Sequence, residues 1–274
     1  MKILELFAGD RSVGKVAEKM GHEVFSVDWE NYEGIDLVVD IEGMESGDVP
    51  FVPDVVWASF DCTTYSIAAC STHRNRDRSP KTEYAIKCDN VNQNVIAMVE
   101  YWLGINPDLI YFFENPRGNL RHMPWMKRFK RHTVWYCQYS DERAKPTDIW
   151  TNSETWVPRP MCHNYKYDSE GNIIDRHCRH ESARRGARTG TQGRNGSFER
   201  SKIPEELCVE IIESLGCVST VIDINRKEPH SVCEVICVKC FHRYIYAYPS
   251  SVKLKELECK NCGAGFIIKT GQEI

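Results

Sequence analysis

The stretch KILELFAGDRSVGKVAEKMGHEVFSVDWE, residues 2–30, constrains this chain more than any other. A buried-type apolar run gives way to a glycine-bearing turn. Apolar positions at helical spacing follow (Val13, Val16, Ala17, Met20), and then a second apolar run ends in acids. That order is a βαβ unit. Two more runs, LVVDIEG and PDVVWASFD, predict a third and fourth strand, and NQNVIAMVEYWLGIN predicts a helix leading into a fifth, LIYFFEN. Strands alternating with helices predict an α/β domain of Rossmann-like type, with a parallel, doubly wound sheet.

At 274 residues the chain has room for one large domain and a small module. From Trp156 to Arg200 the periodicity fails, and prolines and glycines punctuate an Arg-rich segment. Order returns in SKIPEELCVEIIESLG, where Ser201 is placed to cap a helix with Pro204 in its first turn and Gly216 at its end. The division expected is a catalytic domain over 1–216, with an inserted loop region at 153–200, and a linker with a metal module over 217–274.

The net charge of −4 argues against a nucleic-acid partner only if charge is spread evenly, and it is not. Residues 1–60 hold 4 Lys+Arg against 13 Asp+Glu, whereas 117–145 and 176–202 each hold 8 against 2. An acidic body with two basic zones suits a polyanion groove, although solvated charged faces give the same pattern. No run reaches the roughly 18–20 apolar residues that span a bilayer, and MKILELFAGD, with Glu5, does not read as a signal peptide. A reducing cytosol, with thiols kept for metal or catalysis, is therefore expected, and no membrane partner.

Ligands of doubly wound sheets sit beyond the carboxyl ends of the strands. LFAGDRSVG occupies that place after strand one, Asp28 and Glu30 after strand two suit ribose hydroxyls, and Asp40 after strand three suits an adenine amino group. A nucleoside cofactor is the expectation, a purely structural turn the alternative. Cys62 ends strand four and Glu114 ends strand five, side by side in a parallel sheet. A thiol and a carboxyl in one cleft suit attack on a polarised ring carbon while a ring nitrogen is gripped or protonated.

Taken in order, LELFAG, the strand-two acid, DCTTYS, FENP and RSKIPEELC resemble the motifs of the DNA cytosine-5 methyltransferases, particularly compact phage-encoded members, over residues 1 to about 216. The resemblance implies S-adenosylmethionine as cofactor, held by Phe7, Ala8, Gly9, Ser12, Asp28, Trp29, Asp40, Ile41, Phe60 and Ser201. It implies that Cys62 adds to cytosine C6, that Glu114 contacts N3, that Asn115 shapes the loop, and that Arg143 and Lys145 line the base pocket. It implies double-stranded DNA with a flipped base as partner and the cytoplasm of a bacterial or phage-infected cell, while the oligomeric state stays open with a monomer as the expectation. Base flipping costs a few kcal/mol.

Three departures stand out. Asp61 occupies the place of the usual proline before the cysteine, and a neighbouring carboxylate raises a thiol pKa unless a cation offsets it. Pro116 replaces the usual valine after Glu-Asn, and Asp10-Arg11 replaces a second glycine in the first motif.

Cys237-x-x-Cys240 and Cys259-x-x-Cys262, 18 residues apart, have the spacing of a four-cysteine zinc ribbon, with chance or a redox pair as the alternative. Cys162, His163, Cys178 and His180 form a second, irregular cluster of zinc-ligand types. In the Arg-rich loop, Arg184, Arg185 and Arg188 flank glycines and suit phosphate contacts, while Gln192 and Asn195 suit base edges. The expected activity is methyl transfer from S-adenosylmethionine to cytosine C5 in DNA. Its rivals are the same chemistry on RNA and a catalytically silent DNA-binding protein of the same fold. An amino-methyltransferase needs an Asp/Asn-Pro-Pro-aromatic loop, which is absent.

Overall fold

The computed structural model describes residues 1–162, 166–167, 169–170, 172–175, 196–216, 230–237, 243–249 and 267–269. The chain divides into two compact units, Met1–Cys217 and Val218–Ile274.

In the first unit β1 (Lys2–Leu6), α1 (Ser12–Lys19) and β2 (Glu23–Asp28) form the expected βαβ start, followed by β3 (Leu37–Val38) and β4 (Val55–Ser59). The short α2 (Cys70–His73) precedes α3 (Glu83–Ile105), and then come β5 (Ile110–Pro116), β6 (Arg131–Trp135) and β7 (Pro146–Thr151). The strands form one sheet of order β3-β2-β1-β4-β5-β7-β6. The first five are mutually parallel, while β7 runs antiparallel to both β5 and β6. The sheet is therefore mixed, not wholly parallel. A parallel return after β5 needs a crossover, usually a helix, and Gly118 and Pro124 break that connection into two 3-10 turns. Chain direction across the sheet reverses between β1 and β4, so the switch point lies at their carboxyl ends.

Burial explains the layers. α3 turns Ala85, Cys88, Asn92, Val95, Val99 and Trp102 inward at helical spacing and covers one face of the sheet. Thr82 caps it, its Oγ1 accepting from Ala85 N at 3.2 Å. On the other face Val13, Val16 and Ala17 of α1 pack with Leu207, Ile211 and Leu215 of α5 (Glu205–Gly216). The start of α1 is capped from a distance, because buried Glu5 on β1 accepts from Val13 N at 3.1 Å. A Cβ at residue 14 would lie 2.5 Å from Glu5 Oε2, so Gly14 permits this contact.

Two sequence expectations are corrected here. The third strand stops at Val38. Asp40 caps a 3-10 turn instead, Oδ1 accepting from Glu42 N at 3.1 Å, a local bond that competes with strand pairing. Ser201 does not cap α5. It ends α4 (Ser197–Ser201), its hydroxyl donating to Phe198 O at 2.8 Å, because Pro204 disfavours helical geometry in the residue before it and α5 starts only after that proline. A small antiparallel pair, β8 (Lys166–Tyr167) with β9 (Ile173–Asp175), interrupts the region expected to be loop. The described residues of the second unit form a three-stranded antiparallel sheet in which β10 (His230–Cys237) pairs with β11 (Arg243–Pro249) and β12 (Ile267–Lys269). No helix among the described residues is long and apolar enough to cross a membrane.

Candidate active site

Beyond Ser59 the chain leaves the sheet through Phe60 and Asp61 to Cys62, then turns in a short 3-10 segment, Thr63–Tyr65. Phe60 is tied on both sides to the neighbouring strand. Its N–H donates to Glu114 O at 3.0 Å, and its carbonyl accepts from Asn115 Nδ2 at 2.8 Å. The cysteine and the glutamate are thus held at adjacent strand ends by one backbone bond and one bond from the Asn115 side-chain amide. Gly118 lets the turn after β5 approach the Cys62 loop closely, since a Cβ there would meet Tyr65 O at 2.6 Å.

Cys62 is solvent-accessible, yet protein surrounds it on most sides. Desolvation and the Asp61 carboxylate push its pKa up to about 11, while Lys145 pulls it down and Glu114 adds to the rise. At neutral pH the resting group is a thiol. The Asp61 carboxylate is itself oriented, Oδ1 accepting from Thr63 N at 2.7 Å and Oδ2 from the Tyr84 hydroxyl at 2.8 Å.

Glu114 is 4% exposed. Burial raises its pKa against the pull of Lys145, Tyr136 and Arg143. The Tyr136 hydroxyl donates to Glu114 Oε1 at 3.1 Å. Lys145, also buried, lies 4.7 Å from the Tyr136 ring centroid and donates to Arg200 O at 3.0 Å. Burial lowers its pKa, and the Glu114 carboxylate opposes that shift. Arg143 has a different occupation. Its guanidinium pairs with Asp141 and donates to the carbonyls of Arg200 at 3.1 Å and Lys202 at 3.0 Å, closing the carboxyl end of α4 onto the segment before β7. Of the two expected pocket cations, Lys145 is the one whose charge acts on both Cys62 and Glu114.

At the β1 end, Phe7 and Gly9 both have positive φ, and Gly9 N donates to Asp28 Oδ2 at 2.9 Å. Asp28 Oδ1 accepts from Glu30 N at 3.0 Å, so this buried carboxylate organises the turn while keeping lone pairs for a further donor. Trp29 beside it is 68% exposed, an indole face open to a flat ring. Phe7 packs edge-on against Phe60, and Ile41 is buried in the core. Ala8 N donates to Val27 O at 3.1 Å, and the Ser12 hydroxyl accepts from Ile203 N at 3.1 Å. Ser201 lies next to Gly9, its Oγ 3.9 Å from where a Cβ would stand. Arg11, in place of a second glycine, does not fill the turn. Its side chain runs to Ser26 Oγ at 2.9 Å and to Glu18. A positive-φ glycine, ribose-type acceptors and an open indole together fit a nucleoside cofactor. Asp40, the expected adenine contact, is exposed and pairs with Lys87 of α3.

The sequence missed four residues that hold this site: Tyr136 and Tyr84, which bond Glu114 and Asp61, and Arg74 and Asp89, an ion pair at 2.8 Å that joins the loop after Cys62 to α3. Tyr136 lies in an apolar run, VWYC, that gave no polar signal. A surface concavity of about 580 Å³ includes Arg159, Pro204, Glu206 and Asp141 in its wall but none of Cys62, Glu114 or Lys145. Arg184, Arg185, Arg188, Gln192 and Asn195 lie outside the described residues, as do Cys240, Cys259, Cys262, His163, Cys178 and His180. Cys237 ends β10, in register with Ile267. No protein-family model matches the chain, and no curated protein matches it.

Proposed function

We propose that the protein transfers a methyl group from S-adenosylmethionine to C5 of a flipped cytosine in DNA. The observation that carries this reading is the bonding of Phe60 to both Glu114 and Asn115, which sets Cys62 and a buried carboxyl side by side with Lys145 acting on both. Cytosine C5 is a poor nucleophile until C6 is attacked. Cys62 sulfur bonds to C6, the C5–C6 π electrons shift into the ring, and Glu114 delivers its proton to N3, so C5 becomes enamine-like. The Gly9 turn, Asp28 and Trp29 would hold S-adenosylmethionine, which would supply the electrophilic methyl to C5 and leave as S-adenosylhomocysteine. Loss of the C5 proton to a base then re-forms the C5–C6 double bond, the C6–sulfur bond breaks, and N3 returns its proton to Glu114. The solvent-accessible Cys62 thiol must first give its proton to water, and Lys145 is the buried cation that favours the thiolate.

The test is mass spectrometry of nucleosides from DNA and RNA of cells expressing the protein, with 5-fluorocytosine duplexes as a covalent trap. 5-Methylcytosine in DNA and an adduct on Cys62 are expected. An adduct on another cysteine, or none, overturns the assignment. One observation favours a second reading, a silent DNA-binding protein: Asp61 helps hold Cys62 protonated. That reading predicts DNA binding without an adduct.

We also propose a structural zinc held by Cys237, Cys240, Cys259 and Cys262. Cys237 pairs with Ile267, five positions after Cys262, so both CxxC segments attach to one end of the β10–β12 ladder. Four thiolates leave no open position for substrate. Metal analysis should find at least one zinc per chain, and less in a chain truncated after Gly216.

A further inference from the structure

Tyr136 is fully buried, and its hydroxyl donates to one particular oxygen of Glu114, Oε1, at 3.1 Å. The other partner of that hydroxyl, Thr147, bonds it in the sense that eases its ionisation, as a donor to the phenol oxygen does, and the groups stacked over the ring, Lys145 and Arg143, are donors without a lone pair, so the phenol proton goes to Glu114. Glu114 Oε1 is therefore occupied as an acceptor. A protonated carboxyl carries one O–H, and with Oε1 already accepting, that proton belongs on Oε2. We propose that Tyr136 is a specificity-determining positioning residue, directing the acid proton of Glu114 onto Oε2 so that the site accepts a pyrimidine with a bare ring nitrogen and rejects one with a ring N–H. The inference rests on the reading that Glu114 faces the target base. Cytosine N3 is an acceptor and pairs with Oε2–H. The N3–H of uracil or thymine would place donor against donor, which leaves both unsatisfied in a buried site.

The groups that face Glu114 come from every side. Tyr136 follows β6, Lys145 and Arg143 precede β7, Asp148 lies on β7, and Cys62 follows β4. Lys145, Tyr136 and Arg143 lower the carboxyl pKa, and Asp148 raises it. Removing the Tyr136 hydroxyl therefore raises the pKa further, so the carboxyl stays protonated to higher pH.

The experiment compares wild type with Tyr136→Phe in the full chain, with circular dichroism as the folding control. Infrared difference spectra across pH, assigned with Glu114→Gln, should place the protonated-carboxyl band of Tyr136→Phe at higher frequency, persisting to higher pH. Trapping rates on 5-fluorocytosine and 5-fluorouracil duplexes give the selectivity ratio. That ratio should fall about tenfold in Tyr136→Phe, the worth of one hydrogen bond to a carboxyl group, and the alkaline limb of cytosine trapping should move upward. An unmoved band, or a moved band with an unchanged ratio, overturns the proposal alone. Wild type that traps neither base overturns the methyltransferase reading and the selectivity role with it, and the infrared band then still reports the Tyr136–Glu114 bond.

Discussion

Arg74 donates through Nη2 to Asp89 Oδ1 at 2.8 Å and through Nε to Thr64 O at 3.0 Å, joining the loop after Cys62 to the inner face of α3. The same guanidinium lies 4.1 Å from the Tyr65 ring centroid, and the Tyr65 hydroxyl donates to Asp89 Oδ1 at 2.5 Å. The cysteine-bearing loop is thereby pinned by a buried ion pair rather than by surface contacts. Such a pair adds little over an apolar replacement, but breaking it strands a charge.

Arg74→Ala or Asp89→Ala alone should cost about 3–5 kcal/mol, whereas Arg74→Met with Asp89→Leu should cost less than the sum of the two. Urea midpoints read this directly. Additive losses would mean that the two groups do not act as a pair.

Cys62 and Asp61 make a prediction about reactivity. Asp61→Asn removes a like charge and should lower the thiol pKa from about 11, but not to that of a free thiol, because desolvation is the larger cause and remains. The pH midpoint of iodoacetamide alkylation at Cys62 measures it. Cys62→Ser should end turnover and leave S-adenosylmethionine binding nearly intact.

Glu5 predicts a pH dependence of stability. Burial raises its pKa to about 7. The folded chain thus binds a proton that the unfolded chain, with an ordinary carboxyl near 4.5, has released. Its contribution is complete below about pH 4.5 and is lost as pH rises through 7, a drop of about 3 kcal/mol. Glu5→Gln should flatten that part of the stability curve in urea titrations between pH 5 and 7. Glu114, whose pKa is also raised, contributes with the same sign, so an unchanged slope in Glu5→Gln would move the effect to that residue.

The parallel half of the sheet was legible because its strands are buried on both faces and read as unbroken apolar runs: ILEL, VVWA and IYFF. The antiparallel half was not, since RHTVW is polar on one face and its pairing depends on how Gly118 and Pro124 bend the preceding chain. In the site, Cys62 and Glu114 could be found from where their strands end. Tyr136 and Arg74 could not, because their roles come from partners 22 and 15 residues away that no local pattern links to them.

The basic zones should differ in their salt dependence. In the run from Arg117 to Arg131, Arg121 pairs with buried Asp148 and Arg128 with Glu100, while Arg117 lies 5.7 Å from the Trp135 ring centroid. A cation already neutralised by a carboxylate releases few counterions, so Arg121→Ala should disturb folding more than the salt slope of binding. Arg117→Ala should lower the slope by about 0.9, one phosphate contact. Replacing Arg184, Arg185 and Arg188 together with alanine should lower it by about two to three units and leave S-adenosylmethionine binding unchanged. Gln192→Ala and Asn195→Ala should alter which sequence is modified more than how tightly DNA is held. Duplex binding measured across salt concentrations separates these cases. A slope unchanged in the triple variant but reduced in Arg117→Ala would place the phosphate contacts beside Trp135 instead of in the Arg-rich segment.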